Sequence, residues 1–551
     1  MSAARTGGQI LVDQLLAQGV ERVTCVPGES YLAVLDALHD AKIDVLTCRQ
    51  EGGAAIMAEA YGKLTGRPGV CFVTRGPGAT NASHGVHIAM QDSTPMILFV
   101  GQIEVGMRER EAFQELDYRA VFGSMTKWTT EIDTPDRIPE LVGRAFRVAM
   151  QGRPGPVVIA LPEEMLVAMA EVQDVPRVEP AQPAPSAADL ASLEGLLAQA
   201  KQPVVILGGS GWDQAAVDAM GEFATRWSLP VCTSFRRADR FRWDHPCYVG
   251  DLGIGPSAKL SGLVKEADLL LLVGGRMSEM PSSSYTMLNI PVPKQTLVHV
   301  HPGAEELGRV YAPTLAIQVS PRSFVAALSG LAPKGTPAWA ESVAPAHAAY
   351  LDVSGKPRTL PGEFQYGEVV RWLNENLPGD TVLCNGAGNF AGWMHRHWRF
   401  SQLGTQLAPT SGSMGYGVPA GVMAKRQKPE STVVVIAGDG DFLMNGQEFA
   451  TAVQHDIPLV ILVIDNGMYG TIRMHQERDY PGRVSATKLR NPDFAAYATA
   501  FGGHGETVRR TEEFAPAFQR AVASGKPAIL HCFLDPRALS VGKDMPEGAP
   551  L

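Results

Sequence analysis

A chain of 551 residues is too long for one core and predicts about three domains, on a prior of roughly 150 residues each. Its formal charge is −9, with 48 basic against 57 acidic side chains and no basic stripe, which argues against a nucleic-acid partner. The seven cysteines (Cys25, Cys48, Cys71, Cys232, Cys247, Cys384 and Cys532) form no CxxC pair, and the opening MSAARTGGQILVDQLLAQGV has no long uncharged apolar run. A cytoplasmic protein with neither signal peptide nor membrane contact is expected.

From Gln9 to Leu166 helix and strand patterns alternate: a helix near Gln9 to Ala17, then strands at Arg22 to Val26, Gly69 to Val73, Met96 to Val100 and Val157 to Ala160. Such alternation predicts a doubly wound parallel sheet. Glu51 stands where a strand gives way to a helix, a position that by itself suits a capping or dipole-stabilised glutamate. The stretch Thr74 to Asn81, TRGPGATN, follows an apolar strand, and its Gly-Pro-Gly turn lets backbone approach a ligand closely. Lys127 reads either as a solvated lysine or as a pocket cation for a carboxylate.

The Pro-rich stretch from Glu171 to Ser186 is a linker. A second α/β block follows, with strands at Val204 to Leu207, Leu269 to Val273 and Thr296 to Val300, and it has no GxGxxG after a strand to support a nicotinamide site. Ala332 to Glu363, with five prolines, reads as the next connection. The expected domains are therefore 1–170, 187–331 and 364–535, followed by a polar tail, 536–551, that is either a disordered end or a lid.

In the third block, Val433 to Gly470 has the pattern of a β-α-β unit. An apolar run, Val433 to Ile436, breaks at Gly438-Asp439-Gly440; a helical segment from Gly446 to His455 leads to a second run, Leu459 to Ile464, which ends in Asp465-Asn466-Gly467. Both polar breaks fall at the carboxyl ends of strands, where open α/β sheets place ligands. Asp439 and Asn466, 27 residues apart, would then meet, and a carboxylate, an amide oxygen and a free carbonyl suit Mg²⁺ with phosphate oxygens. Gly438 and Gly440 let N–H groups reach a diphosphate.

Gly438-Asp439-Gly440 followed 27 residues later by Asn466 resembles the fingerprint of the thiamine diphosphate enzymes, and nearly the whole chain is similar to their acetolactate synthase branch. The resemblance implies three doubly wound α/β domains that bind pyrimidine, an optional nucleotide, and diphosphate. It also implies thiamine diphosphate and Mg²⁺ as cofactors, and decarboxylation of a pyruvate-like 2-oxo acid with carboligation to a second carbonyl. A homodimer or homotetramer follows, with the cofactor between the first domain of one subunit and the third of another.

By that resemblance Asp439, Asn466 and the Met468 carbonyl hold the metal, and Pro27, Gly28, Gly78, Asn81, Gly388, Asn389, Gly438, Gly440, Asp441 and Tyr469 hold the cofactor. Glu51 exchanges a proton with the aminopyrimidine ring, the Gly412 carbonyl receives its 4′-amino group, and Met414 is the wedge beneath it. Phe113 and Gln114 line the substrate pocket, and His475 is a candidate acid/base group.

The chain departs from the branch at Arg75 (usually Ser), Asn389-Phe390 (Gln-His) and His475 (Trp). In the central domain Gly253-Ile254-Gly255 and Gly274-Gly275-Arg276 lie where relatives surround FAD, but Met277-Ser278-Glu279 replaces Phe-Asp-Asp, leaving FAD, ADP or no nucleotide there. The rival readings are a 2-hydroxyacyl-CoA lyase or oxalyl-CoA decarboxylase and a simple 2-oxo acid decarboxylase. A non-catalytic subunit would have lost Glu51 or Met414, and a nicotinamide dehydrogenase would bind NAD.

Overall fold

The apolar runs Gly69–Val73, Met96–Gln102 and Pro156–Pro162 are buried residue by residue, which explains their lack of polar alternation. They are the middle of a six-stranded sheet in the computed structural model, which describes residues 3–551. Two more six-stranded sheets follow, and every pairing within the three is parallel. Counted within each sheet, the first and third share the strand order 2-1-3-4-6-5, whereas the central sheet runs 3-2-1-4-5-6. In each order the strands on the two sides of strand 1 are reached by connections running in opposite directions, and that reversal opens a crevice at the strands' carboxyl ends.

The first and third domains share a core. The helix Glu51–Thr65, capped by the Gln50 side chain and ended by Gly66 at φ +68°, packs on Pro77–Asp92 and on Gly417–Gln427 of the third domain. Small residues set the spacing: a Cβ on Gly85 would lie 2.5 Å from that of Ala55. The Glu448 carboxylate, on the third-domain helix Glu448–Gln454, accepts the N–H groups of Gln50 (3.0 Å) and Arg49 (3.2 Å). The start of the Glu51 helix is thereby fixed by a residue almost 400 positions away in sequence.

Beside this seam Lys63 is buried with two carboxylates, its Nζ lying 2.5 Å from Asp92 and 3.1 Å from Glu59. Burial alone would raise the Asp92 carboxyl, but Lys63 and Arg237 hold it below the usual carboxylate range. Its contribution to stability is therefore complete at neutral pH and lost only in acid, below the ordinary carboxylate pKa. Lys63→Met should leave Glu59 without a cation and Asp92 with Arg237 alone, and cost about 3–5 kcal/mol, read as a lowered denaturation midpoint; an unchanged midpoint would refute the ion cluster as a stabilising element.

Two expectations are corrected. The break at Gly438-Asp439-Gly440 is not a loop before a helix at Gly446. The helix Asp439–Asn445 begins there, favoured by acidic residues in its first turn, and a second helix, Glu448–Gln454, follows. Ala332 to Glu363 is not a bare connection either, because Ala340–Gly355 is helical despite Pro345. Val343 and the preceding Trp339 enter the central core, and Tyr350 sits edge-on to Tyr248 at 4.8 Å, so packing overrides the proline.

The tail is ordered. Arg473 donates to the Pro550 carbonyl (2.7 Å), and Arg358 pairs with Asp544 (2.6 Å). No helix among the described residues is long and apolar enough to cross a membrane.

Candidate active site

In the third sheet the strand order reverses between Val382–Asn385 and Val433–Gly438. A cavity of about 210 Å³ opens at their carboxyl ends, lined by the turn Ala387 to Phe390, by Gly412 and Met414, by Gly438 to Asp441, and by Asn466 and Met468 to Ile472. Leu534, Ala538 and Leu539 close one side, so the tail is part of the wall. Nearly all the residues read from sequence as metal- or diphosphate-binding line this one cavity. His475 does not line it; the residue is half-buried on the helix Gly470–Asp479, three positions beyond Ile472.

Asp439 is 3% exposed. Burial pushes its carboxyl well above the usual range, and Asp465 beside it adds to the effect. Asn491 Nδ2 donates to Asp439 Oδ2 (2.7 Å) and to Asp465 Oδ1 (2.8 Å), and His531 Nε2 donates to Asp465 Oδ2 (2.9 Å). This supporting chain was not legible in sequence; its only signal is the polar Asn491-Pro492-Asp493 run before the helix Phe494–Ala500. Asn466 Oδ1 accepts the Met468 N–H (3.2 Å) and the Met468 carbonyl accepts that of Gly470 (2.9 Å), and each of these oxygens keeps a second lone pair.

Among the described residues no three or more His, Cys, Asp or Glu gather as a metal site. A cation here would rest on one carboxylate, two neutral oxygens and a ligand's own phosphates, a set that fits Mg²⁺.

The fit to a diphosphate is equally local. A Cβ on Gly438 would meet the Phe390 ring at 2.9 Å, and one on Gly440 the Tyr469 ring at 2.5 Å, so both aromatic walls need glycine opposite them. Asp441 Oδ1 accepts the N–H groups of Ala387 (3.1 Å) and Gly415 (2.8 Å), while its buried Oδ2 has no partner. Burial pushes this carboxyl up to about 7. Asn389 lines the cavity, yet its Nδ2 donates to the Leu539 carbonyl (2.8 Å) and its Oδ1 accepts from Thr471 (3.0 Å). Its amide group therefore ties the turn to the tail.

A second constellation occupies the reversal point of the first sheet, between Arg22–Cys25 and Gly69–Val73. Gly28 approaches Thr74, where a Cβ would come within 2.5 Å, and Pro27 beside it is exposed. Asn81 Nδ2 donates to Glu51 Oε2 (2.9 Å), and Gly78 faces the other carboxylate oxygen. Phe113 is 72% exposed and Gln114 takes φ +66°. Arg75 anchors both: its guanidinium pairs with Glu163 and with Glu29 (3.0 Å), and its Nε donates to the Phe113 carbonyl (3.1 Å).

None of these first-domain residues lines the third-domain cavity of the same chain. Lys127 lies apart from both constellations; Nζ donates to the Gln151 carbonyl (2.6 Å), and burial draws its pKa down to about 8.

The central sheet offers little room. Its end crevices are cavities of about 40 Å³, beside Gly274, Gly275 and Arg276, and about 70 Å³, beside Gly253, Ile254 and Gly255. Buried Arg237 lines the smaller of the two.

Comparison with known proteins agrees with this geometry. Residues 5–121, 190–328 and 386–532 match, in turn, the N-terminal TPP binding domain, the central domain and the C-terminal TPP binding domain of thiamine pyrophosphate enzymes. The chain belongs to this family, whose cofactor is also called thiamine diphosphate.

Within it the similarity is to acetolactate synthases. The chain is 32% identical to the isozyme 2 large subunit of Escherichia coli (strain K12), over 96% of its own length and 95% of that protein's. It is 30% identical to the probable large subunit of Methanocaldococcus jannaschii, over 96% and 92%. Against the mitochondrial catalytic subunit of Saccharomyces cerevisiae the identity is 29%, over 96% and 81%.

Proposed function

We propose that the protein condenses two molecules of a pyruvate-like 2-oxo acid with loss of CO₂, in the manner of an acetolactate synthase, using thiamine diphosphate and Mg²⁺. One observation carries this reading: a single chain holds both a Glu51 constellation and a Gly438–Asp441/Asn466 cavity, at the reversal points of two sheets with the same strand order. Because the two do not meet within one chain, the active unit is at least a dimer, each site built from the first domain of one copy and the third of another. Exposed Phe113, Leu32, Ile472 and Tyr480 supply apolar surface for that contact.

When bound, thiamine diphosphate supplies a nucleophilic carbon and an electron sink for decarboxylation. Asp439, Asn466 and the Met468 carbonyl would hold Mg²⁺ against the diphosphate, and the N–H groups around Gly388 and Gly440 would face phosphate oxygens. Glu51 would exchange a proton with the aminopyrimidine ring, the Gly412 carbonyl would receive its amino group, and Met414 would be the wedge against it. Phe113 and Gln114 shape the acceptor's side and exclude water. This reading gives no role to a flavin.

Arg75 holds the Phe113 carbonyl through a charge-assisted bond, so Arg75→Ser should free that segment. An increase of about tenfold in the acceptor's KM is expected, the equivalent of losing one such bond. A wild-type KM would sever Arg75 from substrate positioning.

The reading is tested by incubating the protein with thiamine diphosphate, Mg²⁺ and pyruvate, following CO₂ and identifying the product by mass spectrometry. Acetolactate is expected. Acetaldehyde alone would make it a decarboxylase, and bound cofactor without turnover would point to a different donor, such as an acyl-CoA.

A further inference from the structure

The central domain, which holds none of the residues expected to bind thiamine diphosphate, nevertheless reaches the backbone behind the wall of the third-domain cavity through one side chain. Arg236 follows the strand Val231–Ser234 and is 2% exposed. Its Nη1 donates to the Pro409 carbonyl (2.6 Å) and its Nη2 to the Gly386 carbonyl (2.8 Å). These carbonyls stand at the roots of two segments that both contribute to the cavity wall. Gly386 opens the turn through Ala387 and Gly388 to Phe390, and the Pro409 carbonyl also accepts the Gly412 N–H (3.1 Å), two residues before Met414.

Asp441 grips the same pair through the N–H groups of Ala387 and Gly415. A cation from the central domain and an anion from the third thus hold both segments, the cation by their carbonyls and the anion by their N–H groups. The guanidinium fork suits this task, because two planar donors fix the separation of two acceptors, which a point charge cannot do.

The backbone argues that the contact is enforced. Arg236 takes φ +57°, a conformation that side chains with a Cβ adopt only where the surroundings over-determine it. Its Nε is buried without a partner, so the side chain gives up one hydrogen bond while making the other two. Burial draws the guanidinium down to about 10, which leaves it charged at neutral pH.

We propose that Arg236 is a positioning residue through which the central domain sets the separation of the segments Gly386–Phe390 and Pro409–Met414. The role rests on the thiamine diphosphate reading above only in its consequence for binding; the effect on the two segments does not depend on any cofactor.

The test uses the full chain with Arg236→Gly and Arg236→Lys. Glycine removes the guanidinium but suits φ +57°, so this variant should fold. In the cofactor-free protein, hydrogen exchange should rise in the two segments and stay unchanged in the strands Val382–Asn385 and Val433–Gly438. Binding of thiamine diphosphate with Mg²⁺, read by isothermal titration calorimetry, should weaken about tenfold or more, as for a lost charged hydrogen bond. Arg236→Lys should fall between glycine and wild type.

Unchanged exchange in both segments would overturn the proposal, as would a uniform rise across the chain, which would mark a merely structural residue. A lysine variant equal to wild type would overturn the requirement for a fork. If the wild type itself does not bind thiamine diphosphate, the proposed function fails, and exchange in the two segments still decides the role of Arg236.

Discussion

Glu51→Gln should bind thiamine diphosphate nearly as well as wild type and yet lose turnover by on the order of 10²-fold or more, the range that general acid–base groups supply. The side chain is half-buried at the start of the helix Glu51–Thr65, and one carboxylate oxygen accepts the Asn81 amide at 2.9 Å. Glutamine preserves shape and can still hydrogen-bond a ring nitrogen, but it has no proton to exchange there. The backbone on either side is fixed independently, by the Gln50 cap and by Glu448, so the substitution removes chemistry and leaves the scaffold. Proton exchange at the cofactor's reactive carbon, followed by NMR, is the direct readout; a wild-type exchange rate would take Glu51 out of the role assigned to it.

The second large effect is expected at the metal. Asp439→Ala deletes the only carboxylate among the three assigned Mg²⁺ oxygens and strands the Asn491 amide that now bridges Asp439 and Asp465. Losing a supporting residue around a metal typically costs 10- to 100-fold in affinity, so loss of a direct ligand should cost on the order of 100-fold or more. The protein is expected to emerge from gel filtration in Mg²⁺ without thiamine diphosphate, while its unfolding midpoint changes little or rises, since a buried carboxyl has been removed. Full cofactor occupancy in the variant would refute the ligand assignment.

These two residues were legible because their signals are local. Gly438-Asp439-Gly440 and Asn466 stand at the ends of wholly apolar runs, and the runs became strands within a residue or two of their expected limits. Glu51 likewise marks a strand-to-helix change. What the sequence hid are partners far apart along the chain. Nothing near Glu448 announces that its carboxylate will cap a helix in another domain, and Asn491 lies in a segment without periodicity. Arg75 reads as an odd residue in a glycine-rich turn, whereas its side chain is held by Glu29, Glu163 and the Phe113 carbonyl. The helix Ala340–Gly355 was obscured by Pro345, a strong local signal that packing of Val343 and Trp339 outweighs.

The ordered tail bears on how this protein can be handled. The Pro550 carbonyl is anchored on Arg473, and the Leu539 carbonyl is held by Asn389 inside the cavity wall. Proteolytic loss of this segment would expose one flank of the cavity to solvent, since Ala538 and Leu539 line it.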